Sequence, residues 1–421
     1  MTASDARVAA PAAARTATCR ACKRSLSTLF LDLGNQPLSN AYLHPGRVDV
    51  AELSYPLHVF VCDGCFLVQL EAFQTPAQIF ADYAYFSSFS DSWLEHGARF
   101  ARTVGSREQL DSTSLIMEIA SNDGYLLRHF RACGMPVIGI EPAQNVARVA
   151  VAAGVPTINE FFGESCARGL ALSGHYPRLL IANNVLAHVP DLHDFVAGMA
   201  VLIDDRTLAT IEVPHVLRLI EACQFDTIYH EHFSYFSLLS LEPVFAAHGL
   251  SIVDVEELAT HGGSLRLFVR RSGTVARGPN VEALRERERR AKLDDIETYF
   301  EFARRVIVTK RRILTFLLTA QEQGRLVAGY GAPAKGNTFL NYCGIRQDLV
   351  AFTVDRSPHK QGLSLPGSHL PILHPDAIFD RQPYYVLILP WNIADEVMEQ
   401  MSGIRHWGGR FVTAIPRVCI Y

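Results

Sequence analysis

The sequence predicts an α/β protein made of an N-terminal four-cysteine module, a central Rossmann-like domain and a second Rossmann-like α/β domain at the C-terminus. Three observations predict it. Two CxxC pairs open the chain. An apolar strand, a small-residue turn and a helix pattern occur twice, at Ser114–Leu127 and at Arg325–Asn337. A stretch of helical periodicity separates these two units.

The chain has 421 residues, 49% of them hydrophobic and 19% charged, enough for two or three domains of about 100–200 residues each. The expected organisation is a disordered leader over 1–18, the cysteine module over 19–75, the central domain over 76–275, bridging helices over 276–320 and the C-terminal domain over 321–421. The Ala-rich leader, interrupted by Arg7, Pro11 and Arg15, lacks the apolar core of a signal peptide. The net charge of −4, without a basic block, argues against nucleic acid and anionic membrane surfaces as partners. No apolar run approaches the ~20 residues that span a bilayer. Nine cysteines, four in CxxC pairs and the rest scattered, suit a reducing cytoplasm better than a disulfide framework.

Cys19-Arg20-Ala21-Cys22 and Cys62-Asp63-Gly64-Cys65 each put two thiols on one tight turn. Four thiolates suit tetrahedral zinc, and with Cys in all four positions the site is closed and structural. Two disulfides or free thiols are the alternative. The long separation of the pairs calls for an inserted strand pair or loop, to which Asn35–Tyr42 and Pro56–Phe60 belong. Tyr83–Phe89, aromatic and rich in hydroxyls, reads equally as a lid over a nucleotide domain and as packing.

The central unit begins with the strand ending at Glu118 and Ile119, followed by the turn Ala120-Ser121-Asn122-Asp123-Gly124. A second strand ends at Glu141. This is the first βαβ of a doubly wound sheet, with its ligand crevice at the carboxyl ends of the strands. Glu141 can accept both hydroxyls of a ribose. Ala120, Asn122 and Gly124 stand where a dinucleotide would want GxGxxG, a poor phosphate loop. S-adenosylmethionine has no phosphate and fits the looser turn, with Glu118 favouring its cationic methionyl end. The next strand ends at Asn183, over the sulfonium, and His188 follows as a second candidate site histidine. The remaining strands complete a sheet with an antiparallel edge.

Thr227-Ile228-Tyr229-His230-Glu231-His232-Phe233-Ser234-Tyr235-Phe236 gathers two histidines, a carboxylate and two tyrosines. Alone it reads as a metal ligand pair, an acid–base site or an ordinary aromatic segment. The charged run Arg285–Arg290 reads as a solvated helix face. In the C-terminal unit, Lys335, His359 and Lys360 are cationic, Gly336 and Asn337 sit at a helix start, and Asn392 closes a later strand. Together they suit a phosphate or pyrophosphate, and so a nucleotide-linked substrate.

The four-Cys module, Glu118-Ile-Ala-Ser-Asn-Asp-Gly-Tyr-Leu-Leu127, Tyr229-His-Glu-His232 with Ser234-Tyr235-Phe236, and Gly329-Tyr-Gly-Ala-Pro-Ala-Lys-Gly336 occur in that order. The chain from Cys19 onward thus resembles the S-adenosylmethionine-dependent C-methyltransferases of deoxysugar biosynthesis. The resemblance implies a dTDP-4-keto-deoxysugar, methylated at the carbon next to its ketone (C-3 or C-5), as in branched sugars of antibiotics. It implies His232 as general base, Tyr229 and Glu231 at the same site with Glu231 tuning the base, and Tyr83 and His188 as further site residues donating to the enolate oxygen. His230 is left with a structural role. One departure is Ala120, where the family usually has Gly; the extra methyl is tolerated if its φ is negative. Competing readings are an O- or N-methyltransferase, a nicotinamide-dependent sugar-nucleotide enzyme, and a zinc-ribbon nucleic-acid binder that the charge disfavours. The oligomeric state stays open, a monomer included.

Overall fold

The computed structural model describes residues 17–47, 50–80, 87–89 and 91–421. Residues 1–16 of the expected leader, and Tyr83, lie outside the described residues.

Between the two cysteine turns lies the expected strand pair. Leu29–Gln36 and Tyr55–Val61 run antiparallel, with Leu31 opposite Val59 and Gln36 opposite Tyr55. Leu57, Val59 and Val61 are buried at alternate positions, the period of a half-buried strand. Val68–Leu70 adds a third strand. The fourth comes from far along the chain: Ser234–Tyr235 pairs antiparallel with it, Val68 opposite Tyr235.

The central sheet has seven strands. Ile116–Ile119 lies in the middle, with Val137–Ile140 and Thr157–Ile158 to one side and Leu179–Asn183 and Leu208–Pro214 to the other, all parallel. Ile116–Ile119 and Leu208–Val213 are buried along their whole length, as parallel strands covered on both faces are. Strand order reverses between Ile116–Ile119 and Leu179–Asn183, which opens a crevice beyond their carboxyl ends. The sheet ends in antiparallel pairing, as expected: Ser264–Arg271 inserts between Leu208–Pro214 and the edge strand Leu250–Leu258. Gly262 and Gly263, at φ +91 and +122, turn the chain between the two.

Two helices connect this sheet to the next. They are Pro279–Arg290 and Ile296–Glu322, so the expected helical stretch is interrupted at 291–295. The longer helix buries Tyr299, Phe302, Val306, Thr309, Ile313, Leu317 and Ala320, a stripe spaced by three and four residues. The run Arg285–Arg290 is not a wholly solvated face. Glu288 is fully buried, accepting from His215 Nε2 at 2.8 Å and from the backbone N–H of Leu238 and Leu239 at 2.7 and 2.9 Å. It thereby serves the open N-terminus of the helix Leu238–Ala246. Arg285 is drawn inward by Glu242.

The third sheet is parallel through Ile372–Leu373, Thr353–Val354, Val327–Tyr330, Tyr385–Ile388 and Arg410–Thr413, with Cys419–Ile420 antiparallel at its edge. Its order also reverses at its first strand, giving a second crevice after Tyr330 and Ile388. Among the described residues no helix is long and apolar enough to cross a membrane.

Ala120 departs from expectation: its φ is +54, so the condition for tolerating a methyl there is not met. A non-glycine residue in the left-handed region carries a cost of about 1–2 kcal/mol. Ala120→Gly is therefore expected to raise the thermal midpoint, by about 1 kcal/mol net of the entropy glycine adds to the unfolded chain; a lowered midpoint would contradict the strain. Glu288→Ala strips His215 and a helix N-terminus of their shared acceptor. It should cost about 3 kcal/mol, read as a clear fall in the thermal midpoint; a wild-type midpoint would show the pair to be dispensable.

Candidate active site

The four cysteines come together. Their Sγ atoms all lie within 4.8 Å of one another, with Cys19 and Cys65 at 3.5 Å and Cys22 and Cys62 at 3.4 Å. A tetrahedral zinc with Zn–S of about 2.3 Å needs neighbouring sulfurs about 3.8 Å apart, so the set fits the metal. Each CxxC turn closes with the residue after it in the left-handed region, Lys23 at φ +61 and Phe66 at φ +57. Gln69 Nε2 donates to Cys19 Sγ at 3.2 Å, the kind of outer hydrogen bond that orients a thiolate ligand. With four sulfur ligands the zinc is structural.

The crevice of the central sheet fits S-adenosylmethionine. Glu141 accepts from the N–H of Asn122 at 2.9 Å and of Ala143 at 2.8 Å, which fixes its carboxyl at the strand tip with lone pairs left for a ribose diol. Burial raises it, and those two N–H groups oppose the rise. Gly124 is obligatory: at φ +77, a Cβ would also meet Val155 Cγ2 at 2.8 Å. Glu118 is buried and pushed well above the carboxylate range by desolvation, then by Glu141 and Asp123; its Oε2 has no partner among the described residues. The amide oxygens of Asn183 and Asn184, both at the cavity wall, likewise have none. These unanswered acceptors suit an ammonium group. The described part of the aromatic segment closes on this turn, Ser87 N–H donating to Asn122 Oδ1 at 2.8 Å and Ser88 N–H to Asp123 Oδ2 at 3.1 Å.

The crevice continues into a cavity of about 930 Å³ whose walls include His188, Tyr229, Glu231, His232, Lys335 and Lys360. That is the upper end of the size of ligand sites, with room for more than one small molecule. His232 Nδ1 donates to Thr227 O at 3.2 Å, which leaves Nε2 unprotonated to accept from the Tyr229 hydroxyl at 3.0 Å. Burial, then His188, pushes His232 well below the ordinary imidazole range. His188 Nδ1 donates to the Glu231 backbone O at 2.8 Å, and burial lowers it to about 4. The two rings meet edge to face at 4.7 Å. The Glu231 carboxyl is raised by burial to about 7 and accepts from Asn40 Nδ2 at 2.7 Å. It reaches Asn40, while Thr227 and Tyr229 engage the two nitrogens of His232. His230 turns to the zinc module, donating to Tyr55 O and Pro56 O at 3.3 and 3.2 Å.

The six C-terminal candidates divide. Lys335 and Lys360 line the cavity. Lys335 hydrogen-bonds Asn392 Oδ1 and lies over the Trp391 ring at 4.3 Å; burial lowers it to about 8, against the pull of Asp226. Asn392 itself opens on a neighbouring hollow of about 600 Å³. His359 is exposed and stands outside the cavity wall. Gly336 and Asn337 are not presented to a ligand. A Cβ at Gly336 would meet Leu389 Cβ at 2.9 Å, and Asn337 is fully buried. The close approach of helix to strand that needs the glycine covers the residue after it.

Several wall residues escaped the sequence reading: Asn40 and Tyr42 from the cysteine module's insert, Asn184, and His261, which burial lowers to about 4. Asp226, raised by burial to about 6, accepts from Trp391 Nε1 at 2.6 Å. Asp226 and Asn184 adjoin stretches already singled out, and Asn40 and Tyr42 lie within the insert Asn35–Tyr42, whereas His261 carried no signal.

Comparison with known proteins shows the family. Residues 19–80 match a zinc binding domain family, 93–255 a methyltransferase domain family and 259–416 the C-methyltransferase C-terminal domain family. The C-methyltransferase NovU of Streptomyces niveus is 35% identical over 399 residues, covering 94% of this chain and 95% of NovU. Among solved structures, magnesium protoporphyrin IX methyltransferase from Synechocystis PCC 6803, with bound S-adenosylhomocysteine, overlaps 47% of this chain and 92% of its own at 15% identity and a TM-score of 0.35. The PH0226 protein of Pyrococcus horikoshii OT3 overlaps 48% and 100% at 11% identity and a TM-score of 0.37. With a relative matched from end to end and a cysteine cluster that fits zinc, the chain belongs to the S-adenosylmethionine-dependent C-methyltransferase family that carries an N-terminal zinc-binding module.

Proposed function

We propose that the protein methylates the carbon next to the ketone of a dTDP-4-keto-deoxysugar, at C-3 or C-5, with His232 as the base. The observation that carries this reading is the tautomer of His232. Its Nδ1 proton is committed to Thr227 O, so Nε2, which accepts from Tyr229, is the basic nitrogen of a ring in the cavity wall. Bound S-adenosylmethionine supplies an electrophilic methyl group.

A hydrogen next to a ketone is weakly acidic, so a base needs help from stabilisation of the enolate oxygen. Burial keeps His232 neutral at pH 7, ready to accept a proton, but also lowers its basicity. The demand therefore falls on the oxyanion donor. Tyr229 meets it: its hydroxyl, 3.0 Å from Nε2, is released as Nε2 takes the carbon's proton and can then donate to the enolate oxygen. His188 suits that role poorly. With Nδ1–H given to the Glu231 carbonyl and the ring neutral, its Nε2 is an acceptor and fits a sugar hydroxyl. Lys335 and Lys360, in the same cavity wall, favour a diphosphate, whose binding would hold the sugar near the base and give the proximity advantage. NovU, the relative, is itself a C-methyltransferase.

The protein, given methyl-labelled S-adenosylmethionine and a dTDP-4-keto-6-deoxysugar, is expected to place label on carbon, and in D2O to wash deuterium into the position beside the ketone. Absence of transfer to every such sugar would sink the reading. His232→Ala should abolish both transfer and exchange, by roughly 10²-fold or more, with S-adenosylmethionine affinity retained; wild-type turnover would remove it as base. Tyr229→Phe should lower kcat by roughly 10²-fold with little change in KM; a pure KM effect would assign the hydroxyl to binding alone.

A further inference from the structure

The cavity has a wall that neither sheet with a crevice provides. Between the cysteine pairs, the segment 37–42 leaves the zinc module and crosses to the C-terminal sheet. Tyr42 Oη donates to Ala332 O at 2.8 Å, Leu43 and Ser364 exchange backbone hydrogen bonds at 2.9 and 2.8 Å, and Ser39 Oγ approaches Thr338 Oγ1 at 3.4 Å. Held at both ends, the segment presents Leu38, Asn40, Ala41 and Tyr42 to the cavity.

We propose that Asn40 is a positioning residue for the methyl transfer: its amide fixes the Glu231 carboxylate at the cavity wall, beside His232 and His188, as an acceptor for a hydroxyl of the substrate. The catalytic part of this inference rests on the function proposed above. Asn40 Nδ2 donates to Glu231 Oε1 at 2.7 Å, the short distance of a charge-assisted bond. Glu231 is 5% exposed. Its backbone O separately accepts from His188 Nδ1, which places that ring beside it. The other titratable groups around it are His188, His232, Tyr229 and Tyr235 from the catalytic side, Tyr42 from the insert, and Lys360, Lys335 and His261 further along the same cavity. Lys360 Nζ donates to Ala332 O at 3.0 Å and lies 3.8 Å from Asp355, and Lys335 binds Asn392. Asn40 is the donor that favours the ionised carboxyl against burial.

The sign follows. Removing a donor to the charged form raises the carboxyl's pKa, so a reaction needing the carboxylate loses activity on its acid side and recovers it at higher pH. Asn40→Asp keeps the shape but turns the donor into an acceptor, and Asn40→Ala removes the group. The carboxyl of Glu231 is followed by 13C NMR in the zinc-loaded full chain labelled at glutamate Cδ, with Glu231→Gln to assign it. Asn40→Ala is expected to raise its titration by roughly one pH unit, the equivalent of one hydrogen bond to a charged group, and Asn40→Asp, which sets a second carboxyl against it, by more. The acid limb of kcat should move by the same amount, with zinc content and S-adenosylmethionine affinity held. An unmoved titration overturns the proposal, including where activity falls equally at every pH. If Asn40→Ala fails to fold, the isosteric Asn40→Asp alone decides. A moved titration in a protein that methylates no keto sugar upholds Asn40 as the orienting group and refutes the substrate instead.

Discussion

The backbone of Phe233 holds the site together. Its carbonyl accepts from Leu70 N–H at 3.0 Å and from Arg20 Nη1 at 3.1 Å, both in the zinc module, and its N–H donates to Ala187 O at 2.7 Å, just past the Asn183-Asn184 turn. Arg20 stands between Cys19 and Cys22, so the metal turn reaches the residue that follows His232. Ser234–Tyr235 then completes the module's sheet, and Phe236 bonds Val216 N–H at 2.8 Å beside the central sheet. The stretch that carries His232 is thus strung between the zinc module's sheet and the central sheet. Zinc takes no part in the chemistry, yet without the turns it closes, one of those sheets has no fixed shape.

The second constraint is dryness. One burial pushes the histidines down and the carboxyls up, so His188, His232 and His261 are neutral at pH 7, while Glu118 is raised well above the carboxylate range and Glu231 to about 7. In such a site each proton is assigned by its hydrogen-bond partner more than by solution pH. Thr227 O and Glu231 O, two main-chain carbonyls, therefore decide which ring nitrogens of the two facing histidines can act as acceptors.

What the sequence made legible was local. Both CxxC turns, the strand–turn–helix units around Glu118 and Gly329, and the crowded Tyr229–Phe236 stretch are carried by neighbouring residues, and each folds as its spacing requires. What it hid depends on partners far apart in the chain. Glu288 looks like one more charge on a polar helix until His215 is placed beneath it. Gly336 and Asn337 look like a phosphate-binding helix start until Leu389 closes over them. Asn40, 191 positions from Glu231, has no periodicity or motif to mark it. The φ of Ala120 is set by the crevice around it, not by the residue's preference.

The helix Ile296–Glu322 has a consequence for how the cysteine module and the C-terminal sheet are tied together. At 27 residues it runs about 40 Å, and Phe30 of the zinc module packs its ring on Tyr299 and Phe302, at 5.5 and 6.3 Å between centroids. It is a strut bolted at one end to the metal module and leading at the other into the sheet that bears Lys335 and Lys360. The crevices of the central and C-terminal sheets, which open into one cavity, are then built from loops of separate sheets joined through one helix, so a change in the loops of one leaves the strands of the other in place.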